Sequence, residues 1–599
     1  MRSFLPWAIL LLCARGVLVL SLGDVFFFGE ELEKATAGKA MLDGVGLSHH
    51  QLAYHYYEGG GFVISHLKAV AFFFFGETLF ANKVVALSAC LSVLAAGWWA
   101  CGRAFGRSAA HAFAALYVFA PAVVQKLSLI SLGIHHEACL FILLSLGITA
   151  SLMESQRPKT AAALGVCLGF GVYFSWVVAL AGAACAVSLI VRWGKRVQPA
   201  SLAAVAAGAL IGAAPLLVMY SLVGASVFDI HGTELAAASA SSLSETLRSF
   251  FRSIYVDGAL GGFAAVIAWP AAVIAAIALG LRTPAGPTEG WARSFRAFLC
   301  FIAIFLAAYL SSAFVQGAVY HFFLMLRLVP LWIVGIALVA AVFGRAWDDS
   351  GREAPVVWCG GVLVALGAHG LYGSISEGRP GELLQNWTHL QEERGYVYPS
   401  YFQKLIPHIE GGQEERMMAL LSFEEAQGAT LREAIASELF SKGGDSLEAD
   451  YAACRALVEA VDPGRFSEYQ RGMGPLLTAW LGGDIRASLA ALQGAGSDAD
   501  VLAEALGRVG RGQRAPREDP TLDGALGLLV DELRFVEGAQ GSAAYARGVG
   551  WRMHWLLCRS VYKPWRADEV YDAAPEELKA SVRAGFQAAY RAGRFVEES

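Results

Sequence analysis

The sequence predicts an all-α protein: a polytopic transmembrane helical domain of about eleven spans over residues 1–375, then a soluble all-α domain over residues 376–599. Three observations carry this expectation. The 599-residue chain is 56% apolar and only 16% charged, against about 25% charged in an ordinary soluble domain, and its mean hydropathy is +0.49. Apolar runs of bilayer-crossing length follow one another as far as residue 375 and then stop. Charge divides at the same place: residues 1–375 hold 22 Lys/Arg and 17 Asp/Glu, whereas residues 376–599 hold 24 and 34. Neither part is basic enough to suggest nucleic acid, and the expected partner is a membrane.

The expected spans are 4–22, 83–101, 109–125, 138–153, 161–175, 177–191, 202–223, 261–281, 297–315, 326–344 and 356–375. Residues 1–22 resemble a signal peptide in placing Arg2 before an apolar run, but Arg15 interrupts the run and no small-x-small site precedes Asp24, so a retained first span is expected. The apolar block 161–193 would be about 50 Å long as one helix at 1.5 Å per residue, too long for a hydrocarbon core of about 30 Å, so it must fold back as two. Residues 62–76 carry His66 and Lys68 in an apolar stretch of about 14 residues, a length that suits an interfacial helix. Treating it as a surface helix puts Arg2, Arg103, Arg107, Arg157, Lys159, Arg192, Lys195, Arg196, Arg282, Arg293, Arg296, Arg345 and Arg352 on one side, as the positive-inside rule requires. The N-terminus is then cytoplasmic, the tail extracytoplasmic, and residues 23–82, 126–137 and 224–260 are outer segments.

Eight of the ten cysteines lie in apolar stretches, where a thiol acts as a small hydrophobe; whether Cys454 and Cys558 pair is open. The tail reads as helices with Gly/Asp-rich breaks. Tyr469-x-Arg471-Gly472-x-Gly474 recurs as Tyr545-x-Arg547-Gly548-x-Gly550, 76 residues on. The recurrence suggests a degenerate helical repeat, and with it a docking role for the tail, or it is a coincidence of two short matches.

Acids bordering spans are the first candidates for chemistry, because a carboxylate there is costly unless solvated or paired. Glu30 and Glu31 follow the first span, Tyr57 lies in the polar loop beyond them, and His135-His136-Glu137 opens the fourth span; all face the outer side. The plainer reading is that Glu30, Glu31 and Glu137 begin helices whose dipoles favour acids. The adjacent histidines match no zinc spacing, so no cofactor is expected, and a divalent ion is the less favoured reading. Arg327, at the outer mouth of the tenth span, either binds phosphate oxygens bidentately or snorkels to the interface. Arg248 and Arg252, spaced i, i+4 in the long outer loop, are a weaker version of the same signal.

The order of these features resembles the GT-C membrane glycosyltransferases, in particular the protein O-mannosyltransferase and aminoarabinose-transferase branch. The resemblance covers about residues 1–345. It rests on Glu30-Glu31 with the Ala-rich stretch to Gly44, on Tyr57-Glu58-Gly59-Gly60, on Phe75-Gly76-Glu77, on Pro121 followed by Glu137, and on Arg327 before Pro330. It implies an inverting transfer of a sugar from a polyprenyl-phosphate donor to a hydroxyl of an extracytoplasmic lipid, glycan or protein. Glu30 would be the general base, Glu137 would orient the acceptor or Glu30, Glu31, His135, His136 and Tyr57 would line the substrate site, and Arg327 would hold the phosphate. Two features depart from the family: its first acid is usually Asp, and the residues before its second acid are usually apolar. The competing expectation is a non-enzymatic membrane carrier or envelope-assembly protein whose tail docks a partner.

Overall fold

Helices make up every regular element among the described residues, as a chain poor in alternating strand patterns dictates. The computed structural model describes residues 3–22, 29–42, 59–193, 198–224, 268–269, 271–279, 289–310, 321–348, 354–377, 412–421, 428–440, 447–481, 484–509, 522–554, 556–557 and 566–592. The chain divides into two compact units. One comprises Met1–Gly23, Ser48–Gly76 and Phe80–Trp387; the other comprises Asp24–Leu47, Glu77–Leu79 and Thr388–Ser599.

The first unit contains α1 (Leu5–Leu22); α2 (Gly29–Leu42) groups with the second unit. Next come α3 (Gly59–Phe75), α4 (Leu79–Phe105), α5 (Arg107–Val118), α6 (Ala122–Leu127), α7 (Cys139–Glu154), α8 (Pro158–Phe174) and α9 (Val177–Trp193). The series continues with α10 (Pro199–Gly212), α11 (Ala214–Val223), α12 (Glu289–Leu310), α13 (His321–Asp348) and α14 (Ala354–Glu377). Proline opens α8 and α10, where a missing N–H costs nothing.

The folded-back pair expected in 161–193 is present as α8 and α9. The run 109–125 is not one helix. Pro121 cannot donate and pushes Ala120 out of helical geometry, so α5 ends at Val118 and α6 restarts at Ala122. Among the described residues three helices are long and apolar enough to cross a membrane: Leu79–Phe105, Arg327–Asp348 and Val356–Ile375. The bent pair Pro199–Gly212 and Ala214–Leu222, 47° apart, would make a fourth, and the remaining apolar helices are of 10–17 residues. Of the expected span 261–281, residues 268–269 and 271–279 are described and are helical.

Close packing in this unit depends on small residues. α8 and α10 cross through Gly165 and Gly169 on one side and Gly208 and Gly212 on the other. A Cβ on Gly165 would lie 2.1 Å from the Val205 carbonyl oxygen, and one on Gly208 would lie 2.2 Å from that of Ala162. Between helices that share an apolar surround, such backbone approach provides the attraction that water exclusion cannot. Elsewhere α5 packs on α13, α1 on α5 and α14, and α9 on α12.

In the second unit, α2 buries Glu31, Lys34 and Lys39, and Lys39 pairs with Glu77 at 3.1 Å. The later helices are α15 (Gln413–Leu421), α16 (Gly428–Leu439), α17 (Leu447–Val461), α18 (Phe466–Gln470), α19 (Gly474–Leu481), α20 (Ile485–Leu492), α21 (Ala499–Val509), α22 (Leu522–Val536), α23 (Ser542–His554), α24 (Ala567–Ala573) and α25 (Glu576–Ala592). The two YxRGxG segments occupy equivalent places. Each tyrosine donates to an acid that precedes it in the chain: Tyr469 to Asp462, just past the end of α17, at 2.7 Å, and Tyr545 to Glu532 of α22 at 3.1 Å. The first glycine abuts the helix before that, Gly472 on Glu433 and Gly548 on Glu504. The second abuts the next helix in the row, Gly474 on Ala505 of α21 and Gly550 on Val582 of α25. Both arginines reach toward Glu504, Arg547 at 3.4 Å and Arg471 at 4.0 Å, and Arg508 joins Glu504 to Glu433 at 2.8 Å on each side.

Candidate functional site

Arg15 is the anomaly from which the site in the first unit can be built. It sits mid-helix in an apolar stretch and is fully buried, a position that costs several kcal/mol unless the guanidinium is well bonded. Its Nη1 donates to the Val118 carbonyl at 3.1 Å and to Gln125 Oε1 at 3.0 Å, and its Nη2 donates to the Tyr117 carbonyl at 3.3 Å. Two of these acceptors are carbonyls of the last turn of α5, which carry the negative end of the helix dipole; that of Tyr117 also accepts from the Ala120 N–H at 3.3 Å. Gln125 passes the connection on, donating through Nε2 to the carbonyls of Ala120 at 2.6 Å and Gly367 at 2.9 Å. The break at Pro121 is therefore closed over by a buried cation and an amide.

The loop from Ser128 to Ala138 is held on all sides. Lys83, buried near the start of α4, donates to the Leu129 carbonyl at 3.0 Å, and the Cys90 thiol donates to that of Ser128 at 3.1 Å. Ser175 Oγ donates to the Ile134 carbonyl at 3.1 Å. Gly133 has φ +84°, a conformation open to glycine, and its backbone is pressed against Gly60 so closely that a Cβ on Gly60 would lie 1.6 Å from the Gly133 carbonyl oxygen. The Gly59-Gly60-Gly61 start of α3 is thus where a loop and a helix meet backbone to backbone.

This clamped loop presents His135, His136 and Glu137, all buried, at the mouth of α7. His136 Nε2 lies 2.8 Å from the Tyr117 hydroxyl, and the two rings lie 7° from parallel. Burial pushes the imidazoles of His135 and His136 down to about 3, with the charge of Arg327 adding at His135 and that of Arg15 at His136. Both are neutral at physiological pH. Arg327, near the start of α13, is thereby brought to the neighbourhood of His135, and its main-chain carbonyl accepts from the Tyr309 hydroxyl.

Among the residues expected at the site, His135, His136, Glu137 and Arg327 fall in this one region. Glu31 is buried on α2 in the second unit. Glu30 lies in the first turn of α2, its side chain outside the described residues, as is the whole of Tyr57, together with Arg248 and Arg252. The sequence reading missed Tyr117, Gln125, Lys68, Lys83 and Asn82. Each is a polar group fully or almost fully buried in or beside an apolar helix, and that alone was the available signal. Neither end of the Asn82 carboxamide meets a partner among the described residues. Such a group costs about 1–3 kcal/mol and in native proteins calls for a water, an ion or a ligand.

No protein-family model matches the chain, and no curated protein is significantly similar to it.

Proposed function

We propose that the chain is an integral membrane glycosyltransferase that moves a sugar from a polyprenyl-phosphate donor to a hydroxyl acceptor at the extracytoplasmic face, with inversion. The observation that supports it most is that the buried turn His135-His136-Glu137 feels the charge of Arg327, which adds to burial in lowering the imidazole of His135 across a sequence separation of nearly two hundred residues. A buried acid with a cation close by is the pairing that this chemistry needs. An acceptor alcohol is a poor nucleophile until a base takes its proton, and a departing phosphate needs positive charge. On this reading Glu30 takes the acceptor proton as the sugar–phosphate bond breaks, Glu137 orients the acceptor, and Arg327 holds the leaving phosphate. The neutral histidines shape the wall of the site without adding charge. The resemblance gives Glu31 and Tyr57 substrate-binding roles as well. About eleven spans with an inner N-terminus give the donor lipid access from the outer leaflet. The similar contacts of the two YxRGxG segments support reading the tail as a helical-repeat domain, and the odd span count would place it on the extracytoplasmic side.

The test is sugar transfer by the purified full chain in nanodiscs from a panel of undecaprenyl-phosphate-linked hexoses and pentoses. Glu30→Gln preserves shape but cannot accept the proton, so turnover should fall by roughly 10²–10⁴-fold. Arg327→Lys keeps the charge and loses the bidentate fork, so it should weaken use of limiting donor. Full activity in Glu30→Gln would overturn the assignment of the base.

A further inference from the structure

The chain of contacts from α1 to the mouth of α7 runs through Tyr117, which is bonded at both ends. Its carbonyl accepts from Arg15 Nη2 at 3.3 Å. Its hydroxyl lies 3.3 Å from the Cys90 carbonyl and 2.8 Å from His136 Nε2, and its ring lies parallel to the imidazole. With Nε2 bonded to the Tyr117 hydroxyl and the two rings end to end and nearly coplanar, the His136 imidazole is directed by that bond. The carbonyls of His136 and Glu137 then accept from Cys139 and Leu140, both at 3.1 Å, and begin the turn that leads into α7. The backbone that carries the Glu137 carboxylate is therefore tied to a guanidinium on another helix more than a hundred residues away in sequence.

An apolar residue at position 15 would pack more cheaply in such a helix if the arginine had only space to fill, because the desolvation of a buried cation is rarely repaid in stability. What Arg15 supplies is a fixed charge on the two carbonyls that end α5, at the place where Pro121 interrupts the helical bonding. Loosening that end would leave Tyr117, and through it His136, free to turn.

We infer that Arg15, Tyr117 and His136 are positioning residues that fix the Glu137 turn and hold its carboxylate in one orientation for the reaction. The kinetic side of this inference rests on the glycosyl-transfer reading; the structural side does not. Small displacements of a catalytic group cost one or two orders of magnitude in rate, so the hydroxyl of Tyr117 should be visible in turnover although it touches no substrate.

Two measurements on the full chain in nanodiscs test it, using Tyr117→Phe, which removes one oxygen and keeps the aromatic ring. Hydrogen exchange of the amides of residues 134–140 should quicken by roughly fivefold or more in the variant, while the amides of α8 and α10 stay as they are. With undecaprenyl-phosphate-linked sugars, Tyr117→Phe should lower kcat about 10-fold and leave the donor KM within about twofold. Added to Glu137→Gln it should cost nothing further, because both changes disable the same group. Unchanged exchange at 134–140 would overturn the inference, and so would effects of Tyr117→Phe and Glu137→Gln that simply multiply. If the unmodified chain transfers no sugar, the glycosyl-transfer reading is what fails, and the exchange measurement still decides whether this chain of contacts fixes the turn.

Discussion

Arg15, His135 and His136 show how burial changes what a residue does. In the sequence Arg15 is a flaw in an apolar run, and the two histidines invite a metal. In the fold Arg15 caps a helix end, both histidines are neutral, and His136 is bonded to the Tyr117 hydroxyl. The depressed imidazoles make acid stability a direct test. Against an ordinary value of 6.5, His135 and His136 both titrate at about 3 in the folded chain. As pH falls below 6.5 the unfolded chain takes up protons and the folded chain does not, so stability is complete above 6.5 and is lost progressively toward 3. The loss is about 1.4 kcal/mol per pH unit for each histidine. The melting temperature of the full chain should therefore drop more steeply between pH 6.5 and 4.5 than that of a His135→Gln, His136→Gln double variant. Parallel curves would show that the imidazoles are not held neutral. Arg15 stood out in the sequence, but its partners could not, since Tyr117 and Gln125 are ordinary residues until the chain folds back more than a hundred positions to meet it.

At the scale of elements, the sequence displays glycines at Gly165, Gly169, Gly208 and Gly212, four apart within each helix, without saying that the two pairs face one another. The structure joins them across α8 and α10, with Cβ positions that would fall within 2.1–2.3 Å of the opposing carbonyls. A side chain there must force the helices apart, so Gly165→Leu should destabilise the full chain by about 1–3 kcal/mol or more, read as a lower melting temperature in detergent. Gly182→Ala is the control. A Cβ there meets Leu168 at an ordinary 3.5 Å, and the change should be nearly silent. Equal effects of the two substitutions would mean that the crossing does not depend on close backbone approach. The split of 109–125 into α5 and α6 belongs to the same scale: Pro121 accounts for the break, but only the packing of Arg15 and Gln125 shows how the exposed carbonyls are satisfied.

For the whole molecule, apolar content and charge asymmetry announced a helical chain bearing membrane-length helices, and these need no partner to be recognised because hydropathy is a property of a segment by itself. Among the described residues three such helices, or four with the bent pair, are present, along with shorter apolar helical stretches of 10–17 residues. The proposed sidedness is tested by cleavage. With eleven spans and an inner N-terminus, external protease added to intact spheroplasts should cut near residue 400 and release the tail. Protection of the tail would remove the odd span count and the outer placement of Glu30, Glu31 and Glu137 together. Helix content and the apolar segments were determined by the sequence alone, since each follows from local periodicity or hydropathy, whereas 109–125 read as one span and the structure divides it at Pro121. Which buried polar groups meet was decided by the tertiary structure: Lys83 with Leu129, Tyr117 with His136, Arg327 near His135, and the two YxRGxG segments in equivalent seats. Such pairings depend on distance in space between residues far apart in the chain, and a desolvated charge reveals its partner only once the backbone has brought the two together.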